Sequence, residues 1–167
     1  MSPSAAAVVA PASAAAVVAP ASAAAVVAAA SAAAVVVPAS AAAVVAAAER
    51  LSAAFAARDV GAALDCFVTD EAIGYAGSER AETATGRDAV SALLEAVFAR
   101  DEAYSWRVTE ARVHAYAECA YLFAEADGLA RTDAGETVPF PYRISGVLEE
   151  DGDRWRWRHC QGGEPSS

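Results

Sequence analysis

Charge is missing from the first 48 of the 167 residues, which contain no Asp, Glu, Lys or Arg. Histidine is nearly missing too: His114 and His159 are the only two, so a three-His metal site cannot be assembled, and no HExxH run or paired-carboxylate spacing stands in for one. No metal or cofactor is expected, since neither a Walker nor a Rossmann glycine pattern is present. The three cysteines, Cys66, Cys119 and Cys160, are odd in number, widely spaced and without a CxxC pair, which suits reduced thiols in the cytoplasm better than a disulfide framework. Cys160, flanked by Arg158 and His159, carries the alternative of a thiol activated by its neighbours. Basic residues number 12 against 22 acidic ones, a net charge of −10. Such a surface repels phosphate backbones over a Debye length of ~8 Å, so no nucleic-acid partner is expected.

What fills the front of the chain is repetition. A nonapeptide, SAAAVVAPA, recurs with Ser4, Ser13, Ser22, Ser31 and Ser40 marking its period. Nine residues advance a helix by ~900°, half a turn out of phase, and an odd period also flips the face of a strand, so neither structure acquires a continuous apolar stripe. The reading is a product of tandem duplication or of an upstream translation start, not a functional module, with residues 1–38 forming a mobile or partly helical tail. Its longest proline-free stretch, Ala21 to Val37, is short for a membrane span and carries two serines, and no basic residue precedes Arg50 to start a secretory signal. Neither spanning nor export is expected.

Residues 39–165 form the domain. Val44, Val45, Ala48, Leu51, Ser52 and Phe55 recur at helical spacing, predicting one helix over 39–58. Asp59 N-caps a second over 60–67, with Val60, Ala63, Leu64 and Phe67 on one face. A strand at 72–76 follows, then the polar run SERAETATGR as a loop or loose hairpin, then a third helix over 87–100 built on Val90, Leu93, Leu94, Val97 and Phe98. After Glu102 the period becomes two. Trp106 and Val108 fall out of step with Ala111 and Val113 by one residue, which predicts a bulge and a bent sheet. The strand around Cys119–Ala124 is apolar on both sides and therefore central. Strands at 138–149 and 154–161, joined by a tight turn at Gly152, complete an α+β arrangement: three helices covering a cone-shaped curved antiparallel sheet, with a hollow between the layers. In the last strand Trp155, Trp157 and His159 are expected to share one face.

This order, together with FVTDEAIGYAG, TGRDAV and RISGVLEEDGDRWRWRHCQGGEP, resembles the SnoaL-like branch of the nuclear transport factor 2 superfamily over about residues 40 to 165. The resemblance implies a conical fold with an apolar pocket, usually dimerising through the outer face of the sheet. Its members include ketosteroid isomerases, polyketide cyclases, dehydratases and non-catalytic association domains, so the fold does not choose a function. Ketosteroid isomerisation itself is not expected. The family's aspartate base falls on Tyr75 and its helix-one tyrosine donor on Leu51, and a phenol of pKa ~10 is a poor base at neutral pH.

The candidate catalytic residues are Tyr75, to orient a carbonyl, and His159, to move a proton, both expected to look into the hollow. Arg143, Trp106, Tyr121 and Phe123 are the candidate substrate-binding residues. Arg143 has a plainer alternative, an ion pair with Glu125 or Asp127, and the aromatic residues, Phe140 among them, have the alternative of ordinary core. Asp65 and Asp70 are read as capping or solvated carboxylates. The leading reading is a pocket protein for a small, largely apolar, carbonyl-bearing molecule, acting without a cofactor if it is an enzyme; the competitor is a non-catalytic ligand-binding or dimerisation module.

Overall fold

Pro38 opens the first helix, α1 (Pro38–Ala57), where a residue without an N–H is tolerated because the first amides of a helix have no internal acceptor. The computed structural model describes residues 38–152 and 154–165. The nonapeptide tail therefore lies outside the described residues. Along α1 the buried positions Val44, Ala47, Ala48, Leu51, Ala54 and Phe55 repeat at threes and fours, and this stripe faces the sheet. Arg58 ends the helix in the left-handed region, at φ 52°, and Asp59 caps α2 (Val60–Leu64) by accepting from the Ala62 amide at 2.9 Å.

The second helix is shorter than its apolar spacing predicts. Cys66 to Val68 leave it to run beside the last strand: Trp157 N–H donates to Cys66 O at 2.8 Å and Val68 N–H to Trp157 O at 3.0 Å. Sheet pairing offers those amides better partners than another helical turn would. The polar run after the first strand is indeed a hairpin, β1 (Gly74–Ala76) against β2 (Thr83–Thr85), and α3 (Arg87–Phe98) follows. Four long strands complete the sheet: β3 (Glu102–Ala115), β4 (Cys119–Thr132), β5 (Thr137–Asp151) and β6 (Arg154–Gly163).

The sheet order is β2-β1-β6-β5-β4-β3, antiparallel except for the parallel β1–β6 pair. Two bulges bend it. The bulge expected in β3 lies between Val108 and Glu110, where Thr109 is the additional residue. A second lies in β6, where Trp157 pairs with Leu148 and His159 with Val147, leaving Arg158 unpaired. Each inserted residue changes which face the following side chains occupy. The three helices cover the concave face, where Trp106, Leu122, Ile144, Leu148 and Trp157 share one core with Leu51, Phe67 and Leu94. The convex face carries no helix among the described residues.

Packing of α1 on β3 has a polar component. Ser52 Oγ donates to Trp106 O and accepts from Trp106 N–H, both at 2.7 Å, and Glu49 Oε1 accepts from Val108 N–H at 2.8 Å. β3 is an outermost strand, so these groups face away from β4 and would otherwise lack partners. Helix side chains supply them.

Candidate functional site

The hollow between the layers narrows to a cavity of about 120 Å3. Its walls come from distant parts of the chain: Phe55 of α1, Tyr75 of β1, Val97 of α3, Tyr104 and Trp106 of β3, and Phe140 and Tyr142 of β5. At its mouth stand Ser78, Glu79 and Glu82 of the β1–β2 loop, Arg100 beyond α3, and Glu164 after β6. Phe55 is the hub of the aromatic wall, with ring centres 5.2 Å from Trp106, 4.9 Å from Phe98 and 6.0 Å from Tyr75. Trp106 lies 5.3 Å from Tyr142, which meets Phe140 edge-on at 5.8 Å. Three of these pairs meet edge-on and two, Phe55–Tyr75 and Trp106–Tyr142, are tilted, and offset contacts at these spacings are favourable.

Two phenols dominate its chemistry. Tyr75 and Tyr142 are 4% and 7% exposed. Burial pushes the Tyr75 hydroxyl well above its ordinary pKa, and the nearby Tyr142, Cys160 and Glu82 push the same way. Burial likewise raises Tyr142, with Cys160, Glu82 and Glu164 adding to it. Both therefore stay protonated and can donate a hydrogen bond. The mouth is charged. Arg100 pairs with Glu82 at 2.7 Å and reaches Glu79 at 3.5 Å; partial desolvation works against its charge, but these carboxylates hold its pKa above the usual value. Glu82 is 7% exposed and accepts from the Glu79 amide at 3.3 Å.

Small residues make the room. A Cβ on Gly162 would stand 1.7 Å from the Tyr142 hydroxyl, and one on Gly128 would stand 2.4 Å from the Phe140 ring. Both phenyl-bearing side chains fold across a glycine of the neighbouring strand.

The structure divides the expected site residues. Tyr75 and Trp106 line the cavity. His159 does not: in the parallel β1–β6 ladder Tyr75 is opposite the buried Cys160, while His159 is opposite Gly74. His159 is exposed on the convex face, with its ring so close over Gly74 that a Cβ there would stand 2.6 Å from Cδ2. Tyr75 and His159 thus sit on opposite sides of the sheet, and the bulge at Arg158 is the reason. It turns the alternation begun by Trp155 and Trp157, so that Cys160 and Gly162 point inward instead. Arg143 also faces outward and pairs with Glu125 at 3.0 Å, the plainer of its two readings. Tyr121 and Phe123 lie on the convex face as well, because Leu122 and Ala124 take the buried side of β4. They line no part of this cavity. Cys160 is buried, and desolvation raises its thiol pKa, which opposes an activated thiolate.

Phe140, expected as pocket lining or plain core, lines the cavity; Tyr142, Glu82 and Arg100 complete it and were weak or invisible in the sequence pattern. Asp70, read as a capping or solvated carboxylate, accepts from the Ala72 amide at 2.8 Å and from Arg158 at 2.8 Å, and Arg158 also grips Glu149 at 2.8 Å. Those hydrogen bonds from Arg158 hold both carboxyl groups below the usual range.

A helix-covered, curved six-stranded sheet with a cavity between the layers is the nuclear transport factor 2-like cone. The chain belongs to the SnoaL-like domain family, whose sequence model matches residues 44–164. Among solved structures it is similar to a protein described as a dehydratase of the nuclear transport factor 2-like family from Streptomyces avermitilis, at 14% identity and a TM-score of 0.65, covering 75% of this chain and 96% of that one. A ketosteroid isomerase-like protein from Erwinia carotovora atroseptica is 23% identical, with a TM-score of 0.57 and the same coverage of 75% and 96%. A protein described as a calcium/calmodulin-dependent protein kinase type II association domain from Thiobacillus denitrificans is 21% identical, with a TM-score of 0.59, covering 72% and 93%. No curated protein matches the chain significantly. These likenesses establish the fold. Among the described residues, no helix is long and apolar enough to cross a membrane.

Proposed function

We propose that this domain holds a small, largely apolar, carbonyl-bearing molecule in the cavity between α1, β1, β3 and β5. The observation that carries the reading is the pair of buried, protonated phenols, Tyr75 and Tyr142, on the wall of an aromatic cavity. Each can donate to a carbonyl oxygen, and a donor already desolvated and fixed loses little on binding. Trp106 and Phe140 supply the apolar contact. The volume suits a group the size of one aromatic ring, since an apolar cavity of ~150 Å3 accepts benzene.

If the domain is an enzyme, its chemistry is a proton transfer that needs no cofactor, such as an isomerisation, cyclisation or dehydration. Tyr75 orients the carbonyl in this scheme, as the sequence suggests. The proton acceptor passes from His159 to Glu82, the buried carboxylate at the cavity mouth. The small volume also supports the second reading, a non-catalytic module, because ligand pockets of enzymes commonly reach ~300 Å3 or more. The Thiobacillus association domain shares this fold.

Two copies pair through the convex face that carries Tyr121, Phe123 and Val147, and the protein works in the cytoplasm, a reading supported by three widely spaced cysteines without a CxxC pair. Titration with acetophenone, read by tryptophan fluorescence, tests the pocket. Saturable binding that falls at least ~10-fold in both Tyr75→Phe and Tyr142→Phe, without loss of the folded far-ultraviolet signal, is the expected result. Binding unchanged in both variants refutes it.

A further inference from the structure

The mouth of the cavity carries more negative than positive charge. Glu79, Glu82 and Glu164 line it against Arg100 alone. Arg100 is committed to Glu82 at 2.7 Å and reaches Glu79 at 3.5 Å, whereas Glu164 is exposed and has no cationic partner among the described residues. Glu164 is nevertheless close enough to be felt at the Tyr142 hydroxyl. Behind these carboxylates the cavity presents the faces and edges of Phe55, Tyr75, Tyr104, Trp106, Phe140 and Tyr142. Trp106 is 95% buried by residue area, being 5% exposed, and its indole N–H finds no acceptor among the described residues.

An anion entering here would meet two carboxylates in excess of the one guanidinium. A neutral ligand would gain only from the apolar wall and the phenols. An organic cation gains from both layers, because aromatic rings attract a cation at close range and desolvation strengthens that attraction. The net charge of −10 on the chain adds a long-range field of the same sign. We propose that the cavity selects a ligand bearing a small alkylated ammonium group, seated against the aromatic wall with Glu164 at its entrance. This rests on the reading of the cavity as the ligand site and names the class of ligand that it takes.

Calorimetric titration of the full chain at one low ionic strength tests it with four probes of similar size: phenacyltrimethylammonium, benzyltrimethylammonium, acetophenone and the anion phenylglyoxylate. The expected result is that phenacyltrimethylammonium binds at least ~10-fold tighter than acetophenone, with phenylglyoxylate weakest, as one or two nearby charges and a cation–π contact would give. Acetophenone and phenylglyoxylate binding as tightly as the cations overturns the ammonium assignment and leaves the carbonyl pocket standing. The two cations binding equally while acetophenone does not bind supports the ammonium assignment and removes the carbonyl. Failure of all four overturns both. Glu164→Gln locates the effect, since this exposed residue can be neutralised without disturbing the core: it should weaken the cations ~3-fold or more and leave acetophenone unchanged. Equal affinity of that variant for the cations refutes the assignment of Glu164.

Discussion

The Glu82 carboxylate lies across Gly77 so closely that a Cβ at position 77 would stand 2.1 Å from Oε2. The glycine is the seat of the carboxylate, and the hairpin loop closes around it: Gly77 N–H donates to Glu82 O at 2.7 Å, and Arg100 completes the cluster. Gly77→Ala should therefore expel Glu82 and break its pairing with Arg100. A loss of about 1–3 kcal/mol in urea unfolding is expected, accompanied by altered ligand response. Unchanged stability and binding would show that the loop has room to spare.

Ser52 is a polar residue in the buried stripe of α1, and both of its hydrogen bonds go to the backbone of Trp106. Ser52→Ala deletes one hydroxyl but strands two buried groups. Each unsatisfied group costs about 1–3 kcal/mol, so a combined loss of ~2–6 kcal/mol in denaturant unfolding is expected, larger than the sub-kilocalorie effect of trimming an exposed serine.

The two cavity phenols predict alkaline behaviour. Because their folded-state pKa values are raised above the unfolded value of ~10, the unfolded chain releases these protons first as the pH climbs. The stability they contribute is full below pH ~10 and declines above it. Absorbance at 295 nm during an alkaline titration should show part of the signal of the five tyrosines appearing only together with unfolding. Tyr142→Phe should reduce that late step, and a late step of unchanged size would contradict the assignment.

At the acid end the sign reverses. Asp70 and Glu149 have folded-state pKa values lowered by the Arg158 guanidinium, so the stabilisation is present above the unfolded values of ~3.9 and ~4.3 and disappears as the pH falls through the folded ones. Arg158→Met should lower the melting temperature most near neutrality. The gap between the two proteins should narrow steadily below pH ~4, and a gap independent of pH would assign the role of Arg158 to packing alone.

The same arginine explains where sequence reading succeeded and failed. The bulge in β3 was legible because large residues mark both of its sides, Trp106 and Val108 before it and Val113 after it, so the change of phase leaves a trace in the apolar pattern. In β6 the inward residues beyond the bulge are Cys160 and Gly162, too small to advertise their burial, while His159 prolongs the alternation of Trp155 and Trp157. An uninterrupted period of two therefore put His159 inside. β4 was ambiguous for another reason: both of its faces are apolar and Tyr121 and Phe123 are larger than Leu122 and Ala124, so side-chain size pointed to the face that the structure leaves uncovered. Glu82 sat in a polar loop and offered no pattern at all. The only trace of its burial in the sequence is Gly77 five residues earlier, which acquires its meaning once the hairpin brings the two together. Helix order, strand order and the hairpin itself rest on periodicity and glycine placement, and these survive without knowledge of any tertiary partner.

The 14-residue β3 forms one margin of the sheet, and a long outermost strand is ordinarily an invitation for a neighbouring molecule to dock its own backbone there. Here the invitation is withdrawn twice. Ser52 and Glu49 already occupy the donors and acceptor at Trp106 and Val108, and the extra residue Thr109 throws the next stretch out of register for any straight newcomer. Molecules crowded together should thus find no template for ribbon-like growth along this border.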